Sequence, residues 1–283
     1  MGRVAIVTDS ASDLPLGLAE QHGIRVVPLA VTFGQETFKA GVELSTEAFW
    51  ARMTAPDAPF PTTAASSPGD FRAVYESCFA DGAEAVVSVQ VAGTLSAAIK
   101  SAEIARSMLA DREIHVVDSG SASMGQGLLA LLGSELAAAG TAAAEIARVL
   151  TDRAADLDLY VALDTLEYLR KGGRISGAQA AVGTILSVKP IITIRDGAVE
   201  TADRVRTAGK ARARVLELMS QRPVERLAIL YSPPADPESF RDELLPRLPD
   251  GVDSSRVSVQ PIGPSVGPHL GPGCIGGVLL YRR

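Results

Sequence analysis

The first half of the chain alternates short apolar runs with helix-like segments. Residues 94–110 predict a helix, and Ser67-Pro68-Gly69-Asp70 has the composition of a capped helix start with proline at the first helical position. Buried strands are predicted at residues 4–8, 24–31, 85–90 and 113–118. Continuous apolar strands between helices are typical of parallel sheets covered on both faces. Residues 1–155 are therefore predicted to form a parallel-sheet α/β domain.

The second half combines a hairpin pattern with helices. Residues 189–195 and 198–206 flank Asp196-Gly197, a dipeptide that favours a two-residue type I′ turn. Further helices are predicted at residues 166–171, 207–221 and 237–245, and further strands at residues 159–163, 227–232, 257–262 and 277–281. This mixture predicts an α+β domain with a mixed or antiparallel sheet at residues 156–283, joined to the first domain by an Ala-rich helix at residues 141–155.

Length and composition fit two packed domains, since the chain has 283 residues of which 47% are apolar. The net charge is −6 and the pI is about 5.2, so phosphate backbones repel the chain and nucleic acid is not an expected partner. The sequence shows neither a signal-peptide pattern nor an apolar run of membrane-spanning length, and no stable membrane insertion is expected. Cys78 and Cys274 match no metal spacing and fit a reduced compartment. Together these features predict a cytoplasmic protein.

One letter pattern of a known enzyme site lacks the context that its chemistry needs, and a second pattern is absent from the sequence. Residues 125–130 read Gly-Gln-Gly-Leu-Leu-Ala, but several residues separate them from the preceding strand. No acidic residue closes a second strand about 20 positions on, so dinucleotide binding is not predicted. The Gly-x-Ser-x-Gly elbow of many serine hydrolases does not occur. The sequence therefore predicts no cofactor and no metal.

Two short segments place hydroxyl groups where an anion could bind. Gly93-Thr94 joins a predicted strand to a predicted helix, and the free N–H groups and dipole of a helix start attract anions. The alternative is that Thr94 only caps the helix. Thr63 ends a proline-stiffened loop, where its hydroxyl would either bind a carboxylate or stabilise a turn.

Residues 263–273, Gly-Pro-Ser-Val-Gly-Pro-His-Leu-Gly-Pro-Gly, give the strongest local signal. Four glycines and three prolines surround His269 in this segment. Backbone this constrained is costly unless it must lie close to another group. Histidine can donate a hydrogen bond to a carboxylate or phosphate near neutral pH. We interpret His269 as a ligand-binding residue, and the alternative is a rigid loop in which it is incidental.

Positive charge is concentrated between Arg170 and Arg214. This stretch has ten Lys and Arg against three Asp and Glu, a local balance of +7, and the remainder of the chain carries −13. Such a block is either a solvated helix face or a docking surface for an acidic partner or a phosphate, and both interpretations stay open. For residues 210–214 alone the solvated face is preferred. Arg174 lies beyond the double-glycine helix end, so charge compensation at a helix terminus does not account for it.

Taken in order, several segments along nearly the whole chain resemble the DegV family, whose characterised members include the bacterial fatty-acid-binding protein FakB. The matching segments are Thr8-Asp9-Ser10-Ala11-Ser12-Asp13, Thr63 with Ser67-Pro68-Gly69-Asp70-Phe71, Gly93-Thr94, Val117-Asp118-Ser119, Tyr168-Leu169-Arg170-Lys171-Gly172-Gly173-Arg174-Ile175, Val188-Lys189-Pro190-Ile191 and the Gly-Pro-His segment. Each is weak alone, and their shared order makes the resemblance specific.

The resemblance implies a two-domain carrier that holds one long-chain fatty acid in a buried slot, with the carboxylate near the domain interface. It implies that a separate ATP-dependent fatty acid kinase phosphorylates this carboxylate for phospholipid synthesis. The chain would then be a substrate-presenting subunit and not an enzyme. The implied carboxylate-binding residues are Thr63, Gly93, Thr94 and His269. The positions that match basic residues of the head-group site or the kinase contact are Arg170, Arg174, Arg204 and Arg206.

One departure bears on the ligand. The family usually has Ser-Gly-Thr where this chain has Ala92-Gly93-Thr94, and the serine is normally a carboxylate ligand. Losing one donor to a buried charged group costs about 1.5–3 kcal/mol unless another donor replaces it, which leaves a different amphiphile open. The alternative function is an enzyme or binding protein for another small carboxylated or phosphorylated ligand, with His269 as acid or base. A narrow apolar tunnel ending at Thr63 and His269 would favour the carrier, and a wide polar cleft would favour the alternative.

Overall fold

The structure is a computed structural model that describes residues 3–175 and 188–283. The strands are β1 (Val4–Asp9), β2 (Ile24–Val27), β3 (Ala30–Phe33), β4 (Glu36–Lys39), β5 (Thr62–Ala64), β6 (Ala85–Gln90), β7 (Glu113–Asp118), β8 (Leu157–Ala162), β9 (Lys189–Arg195), β10 (Ala198–Val205), β11 (Val224–Tyr231), β12 (Val257–Pro261) and β13 (Ile275–Tyr281). The α-helices are α1 (Leu16–Gln21), α2 (Thr46–Met53), α3 (Pro68–Ala80), α4 (Ala98–Met108), α5 (Met124–Ala138), α6 (Ala143–Ala154), α7 (Glu167–Lys171), α8 (Ala208–Met219), α9 (Pro237–Leu244) and α10 (Gly267–Leu270).

The N-terminal domain is built on a parallel sheet of four strands in the order β2-β1-β6-β7. Every residue of β6 is buried, so both faces of the sheet are covered by helices. Helix α3 begins with the predicted capping box, in which the Ser67 hydroxyl accepts from the Asp70 amide and the Asp70 carboxylate accepts from the Ser67 amide. These features confirm the predicted parallel-sheet α/β domain.

Strand order reverses between β1 and β6, because the chain crosses from β1 to β2 on one side and reaches β6 and β7 on the other. The carboxyl ends of β1 and β6, at Asp9 and Gln90, therefore diverge into loops that run in different directions. In open α/β sheets ligands bind in the crevice at this point.

The C-terminal domain contains a mixed sheet of six strands in the order β10-β9-β8-β13-β11-β12, in which only the β11–β12 pair is parallel. Strands β9 and β10 form the predicted hairpin, and both turn residues have positive φ, 48° at Asp196 and 75° at Gly197. This backbone is the one that the type I′ turn requires. The prediction of an α+β domain with a mixed sheet is confirmed.

The predicted strand at residues 24–31 is wrong in one respect, since it divides into β2 and β3. Pro28 has no amide proton and interrupts the ladder between them. Its carbonyl accepts from the Ser66 hydroxyl at 2.8 Å, and the next amide, that of Leu29, donates to Ser10 Oγ at 2.8 Å. Strand β3 then pairs with β4 and β5 in a small antiparallel sheet, where Val31 lies opposite Thr63.

The helix predicted at residues 94–110 begins later, at Ala98. The amides of Leu95 and Ser96 both donate to the Ala92 carbonyl, so the chain first makes a tight turn. The Thr94 hydroxyl is directed to the carbonyl of Gly197 and does not cap the helix. The prediction that Thr94 stands at the helix start is therefore wrong, and a loop over residues 91–97 separates β6 from α4.

Ion pairs from two buried arginines to partly exposed glutamates join the two sheet systems away from this loop. The two terminal nitrogens of Arg226 on β11 donate to the two carboxylate oxygens of Glu135 on α5. Arg153 on α6 binds Glu225 at 2.6 Å. The division at residue 155 stays a prediction, although α6 packs on β7 and the six-stranded sheet begins immediately after it. No helix in the described ranges combines the length and the apolar character needed to cross a membrane.

Candidate functional site

An apolar cavity of about 160 Å³ lies where the loops after β1 and β6 face the six-stranded sheet. The N-terminal domain contributes side chains from these loops, among them Ala11, Val91 and Leu95. The opposite wall comes from inward-facing residues of the six-stranded sheet, Leu159, Val161, Ile192, Ile194, Val199 and Leu230. The cavity thus occupies the crevice at the reversal of strand order, and its walls suit an apolar ligand.

Thr63 and His269 meet at the edge of this cavity, with Thr63 Oγ1 and His269 Nε2 2.9 Å apart. Strand β5 positions Thr63, and the short helix α10 of the Gly-Pro segment positions His269. If the ring N–H donates to the hydroxyl, the hydroxyl proton is free for a ligand oxygen. If the hydroxyl donates to the ring, it has no proton to offer a ligand. The first arrangement is the one that can bind a carboxylate.

The environment of His269 keeps its ring neutral. Burial lowers its pKa most and the positive charge of Arg174 acts in the same direction, so that the pKa of His269 falls to about 4. Gly172 lies so close to the ring that a side chain at that position would collide with His269 Nδ1. Around neutral pH this histidine therefore acts as a hydrogen-bonding group and not as a cation.

Arg174 provides the positive charge at this end of the cavity. Its Nε donates to the Leu95 carbonyl at 3.0 Å and its Nη1 donates to the Gly172 carbonyl at 2.7 Å, which fixes the guanidinium at the cavity wall. It forms no ion pair with any residue of the described ranges. A fixed guanidinium without a carboxylate partner, beside two neutral hydrogen-bonding side chains, is suited to an anion.

The loop after β1 holds the Gly-Pro segment in place through Asp13, which is not among the predicted site residues. Asp13 Oδ1 accepts from the Gly263 amide at 3.0 Å, and Oδ2 accepts from the Ser123 hydroxyl at 2.6 Å. Burial raises the pKa of Asp13 to about 7. The signal that could have identified it is a polar run directly after a buried parallel strand, because such runs lie at the ligand-binding edge of a sheet.

Gly93 and Thr94 are not brought to Thr63 and His269. The Gly93 amide donates to Asp118 Oδ2 at 3.1 Å, and the Thr94 hydroxyl donates to the Gly197 carbonyl, so this amide and this hydroxyl already have partners. Neither residue lines the cavity, although Leu95, Ser96 and Ala97 do. In this structure the four predicted carboxylate ligands therefore fall into two separate pairs, Thr63 with His269 and Gly93 with Thr94, and their role at a carboxylate stays a prediction.

The basic block separates into paired and unpaired side chains. Its paired members are Lys171 with Glu167, Lys189 with Asp164, Arg195 with Glu200, Arg212 with Glu243 and Arg214 with Asp203. Arg170, Arg204 and Arg206 are exposed and have no acidic partner among the described residues. Arg204 lies opposite Pro190 in the β9–β10 ladder, and Arg206 follows the last residue of β10. These two charges therefore lie near the start of β9. Residues 176–187 of the same block lie outside the described residues.

No cluster of metal-binding side chains occurs in the part of the chain that the structure describes. Cys78 and Cys274 are both buried and unpaired.

Comparison with known proteins gives one family across the whole chain. The model of the DegV family, described as "Uncharacterised protein, DegV family", matches residues 3–282. The DegV domain-containing protein SCO2569 of Streptomyces coelicolor is 36% identical over 99% of both chains. A fatty-acid-binding DegV family protein from Thermus thermophilus is 34% identical and superposes with a TM-score of 0.89 over 99% of this chain and 100% of that one. A stearic-acid-binding protein from Eubacterium ventriosum is 28% identical, with a TM-score of 0.86 over 99% of this chain and 98% of that one.

Proposed function

This chain belongs to the DegV family, and on that basis we propose that it binds one long-chain fatty acid in the apolar cavity, with the carboxylate at Thr63, His269 and Arg174. The observation that carries the proposal is an apolar cavity whose wall holds a fixed guanidinium, without an acidic partner among the described residues, beside a threonine–histidine pair. The related structures from Thermus thermophilus and Eubacterium ventriosum support it, since both proteins bind fatty acids.

The energetics favour an acyl ligand even with an incomplete head-group site. Burying a chain of about sixteen carbons at about 0.8 kcal/mol per methylene yields roughly 12 kcal/mol before costs. Ordering the chain and losing its free motion remove a large part of this gain. Ala92 lacks the usual family hydroxyl, but Ser96 lies in the cavity wall four residues later and offers a hydroxyl there. The loss at position 92 does not require a change of ligand class.

An enzyme with His269 as acid or base is the weaker candidate. The catalytic histidines of triads are oriented by a carboxylate, whereas His269 contacts Thr63 and lies near the cation Arg174. With a pKa of about 4 the ring would be a poor general acid near pH 7. The cavity is also apolar along most of its lining, which suits an acyl chain better than a small polar substrate.

We further propose that a separate ATP-dependent kinase phosphorylates the bound carboxylate, so that the chain presents a substrate and does not catalyse the reaction. Such a kinase operates where ATP is abundant, in agreement with the predicted cytoplasmic location. The exposed and unpaired Arg170, Arg204 and Arg206 would form the contact, because cations free of intramolecular partners remain available to an acidic surface.

Native mass spectrometry of the purified protein, followed by solvent extraction, tests the binding proposal. We expect one long-chain fatty acid per chain, released on denaturation and identified by its mass. A protein that is empty as purified and takes up no added palmitic, stearic or oleic acid would refute the carrier function.

Charge reversal at the exposed arginines should separate kinase coupling from lipid binding. We expect Arg206→Glu to reduce acyl-phosphate formation by the partner kinase about tenfold, with an effect that shrinks at high salt. Fatty acid affinity should stay within about twofold of wild type, since Arg206 does not line the cavity. Arg212→Glu is the matched control, because Arg212 is bound to Glu243 on α9. Equal losses in both variants would exclude a specific contact at Arg206.

A further inference from the structure

The loop at residues 91–97 forms one wall of the acyl cavity and faces the tip of the β9–β10 hairpin. Leu95, Ser96 and Ala97 line the cavity from the loop, and Ile194 and Val199 line it from the two hairpin strands. The loop belongs to the N-terminal domain and the hairpin to the C-terminal domain. A contact between the loop and the hairpin therefore holds this wall of the cavity closed.

The tip of the hairpin is fastened to this loop by Thr94, whose hydroxyl donates to the Gly197 carbonyl. Gly197 has a φ of 75°, and a Cβ built on it would lie 2.8 Å from Thr94 Oγ1 and 3.5 Å from the Ala92 Cβ. Glycine thus permits both the turn and the close approach of the two backbones. The hydrogen bond from Arg174 Nε to the Leu95 carbonyl holds the same loop from another side.

A second, polar void of about 630 Å³ lies on the other side of this contact. Thr94 and Gly197 both line it, and neither lines the acyl cavity. Leu159 and Ile194 line both voids and form the partition between them. Separating Thr94 from Gly197 would therefore open the side wall of the acyl cavity toward the polar void.

We infer that Thr94 is the latch of the opening through which the fatty acid exchanges, and that it acts as a positioning residue and not as a ligand of the carboxylate. This inference rests on the proposed fatty-acid-binding function. It gives Gly93-Thr94 a role in fatty acid exchange, whereas the sequence analysis assigned these residues to carboxylate binding.

The charge of the polar void bears on whether the latch changes the rates of fatty acid exchange or the affinity. Its lining includes Asp118, Asp158 and Asp196 against the single cation Arg195, so it offers no attraction to a fatty acid carboxylate. The latch is a contact between two protein groups that the empty and the loaded protein can both make. Removing it should accelerate binding and release by the same factor and leave the equilibrium affinity unchanged.

Stopped-flow fluorescence with cis-parinaric acid, a fluorescent polyunsaturated fatty acid, measures both rates on the full chain. Release is followed by trapping with excess unlabelled oleic acid. We expect Thr94→Val to raise both rate constants about fivefold, the change that losing one neutral hydrogen bond allows. Thr94→Ser keeps the hydroxyl and should restore wild-type rates. Thr151→Val is the matched control, since its hydroxyl also donates to a backbone carbonyl, that of Ala147, but within α6, and Thr151 lines neither void.

The possible results separate the latch from the function on which it rests. A faster release with an unchanged binding rate would make Thr94 a ligand contact and overturn the latch. Unchanged rates in a Thr94→Val protein that still binds cis-parinaric acid would also overturn it. A wild-type chain that takes up no fatty acid would overturn the proposed function, and the latch with it.

Discussion

Replacing Ala65 with tryptophan should abolish high-affinity binding of long-chain fatty acids. Ala65 lines the cavity two residues beyond Thr63, at the end where the carboxylate is proposed to lie. An indole group there would occupy the space of the first part of the acyl chain. Excluding about four methylenes costs about 3 kcal/mol, so affinity should fall at least about a hundredfold. Isothermal titration with oleic acid, on protein stripped of its own lipid, measures the change.

The neighbouring residue provides a matched control for this substitution. Ala64 is the last residue of β5 and is exposed, so Ala64→Trp adds the same side chain one position away but directs it to solvent. We expect its affinity to remain within about twofold of wild type. Thermal melts should show both variants folded. Strong binding by a folded Ala65→Trp protein would place the acyl chain outside this cavity.

The elements that the sequence predicted well are those in which local pattern and tertiary context agree. Strand β6 was predicted with its observed bounds, because a short run rich in valine favours a buried strand of a covered sheet. The Asp196-Gly197 hairpin follows in the same way from turn chemistry alone. The errors occur where a distant group decides the outcome. The run of residues 24–31 divides at Pro28 because the segment after it, β3, pairs in a different sheet.

The candidate site also depends on contacts between residues that are distant in sequence, which a local pattern does not predict. Thr63 and His269 were selected separately, and the structure places them 2.9 Å apart although 206 residues separate them in sequence. Gly93-Thr94 had the composition of an anion site, but the carbonyl that occupies the Thr94 hydroxyl comes from Gly197 in the other domain. Asp13 was overlooked for a similar reason, since its partners Ser123 and Gly263 lie far away in sequence. A local motif identifies hydroxyl and carboxylate groups, and the fold decides which of them remain free for a ligand.

The head-group site leads to the second large effect. Replacing His269 with alanine should weaken binding of a long-chain fatty acid by about tenfold to a hundredfold, because a hydrogen bond to a charged group is worth about 1.5–3 kcal/mol. Binding of the fatty alcohol of equal length should change much less, since it carries no charge for the site to recognise. His115→Ala is the control, because His115 lies on β7 and contacts Glu113.

Thr63→Val tests whether the two side chains act as one unit. Because Thr63 Oγ1 and His269 Nε2 share a hydrogen bond, either single substitution should remove most of the effect, and the double variant should lose less than the sum of the two. Additive losses would mean that each residue contacts the ligand independently. Equal weakening for the acid and the alcohol would show that His269 acts through packing, and the carboxylate would then depend on Arg174 alone. The ratio of acid to alcohol affinity therefore measures how much of the recognition comes from charge and how much from the cavity.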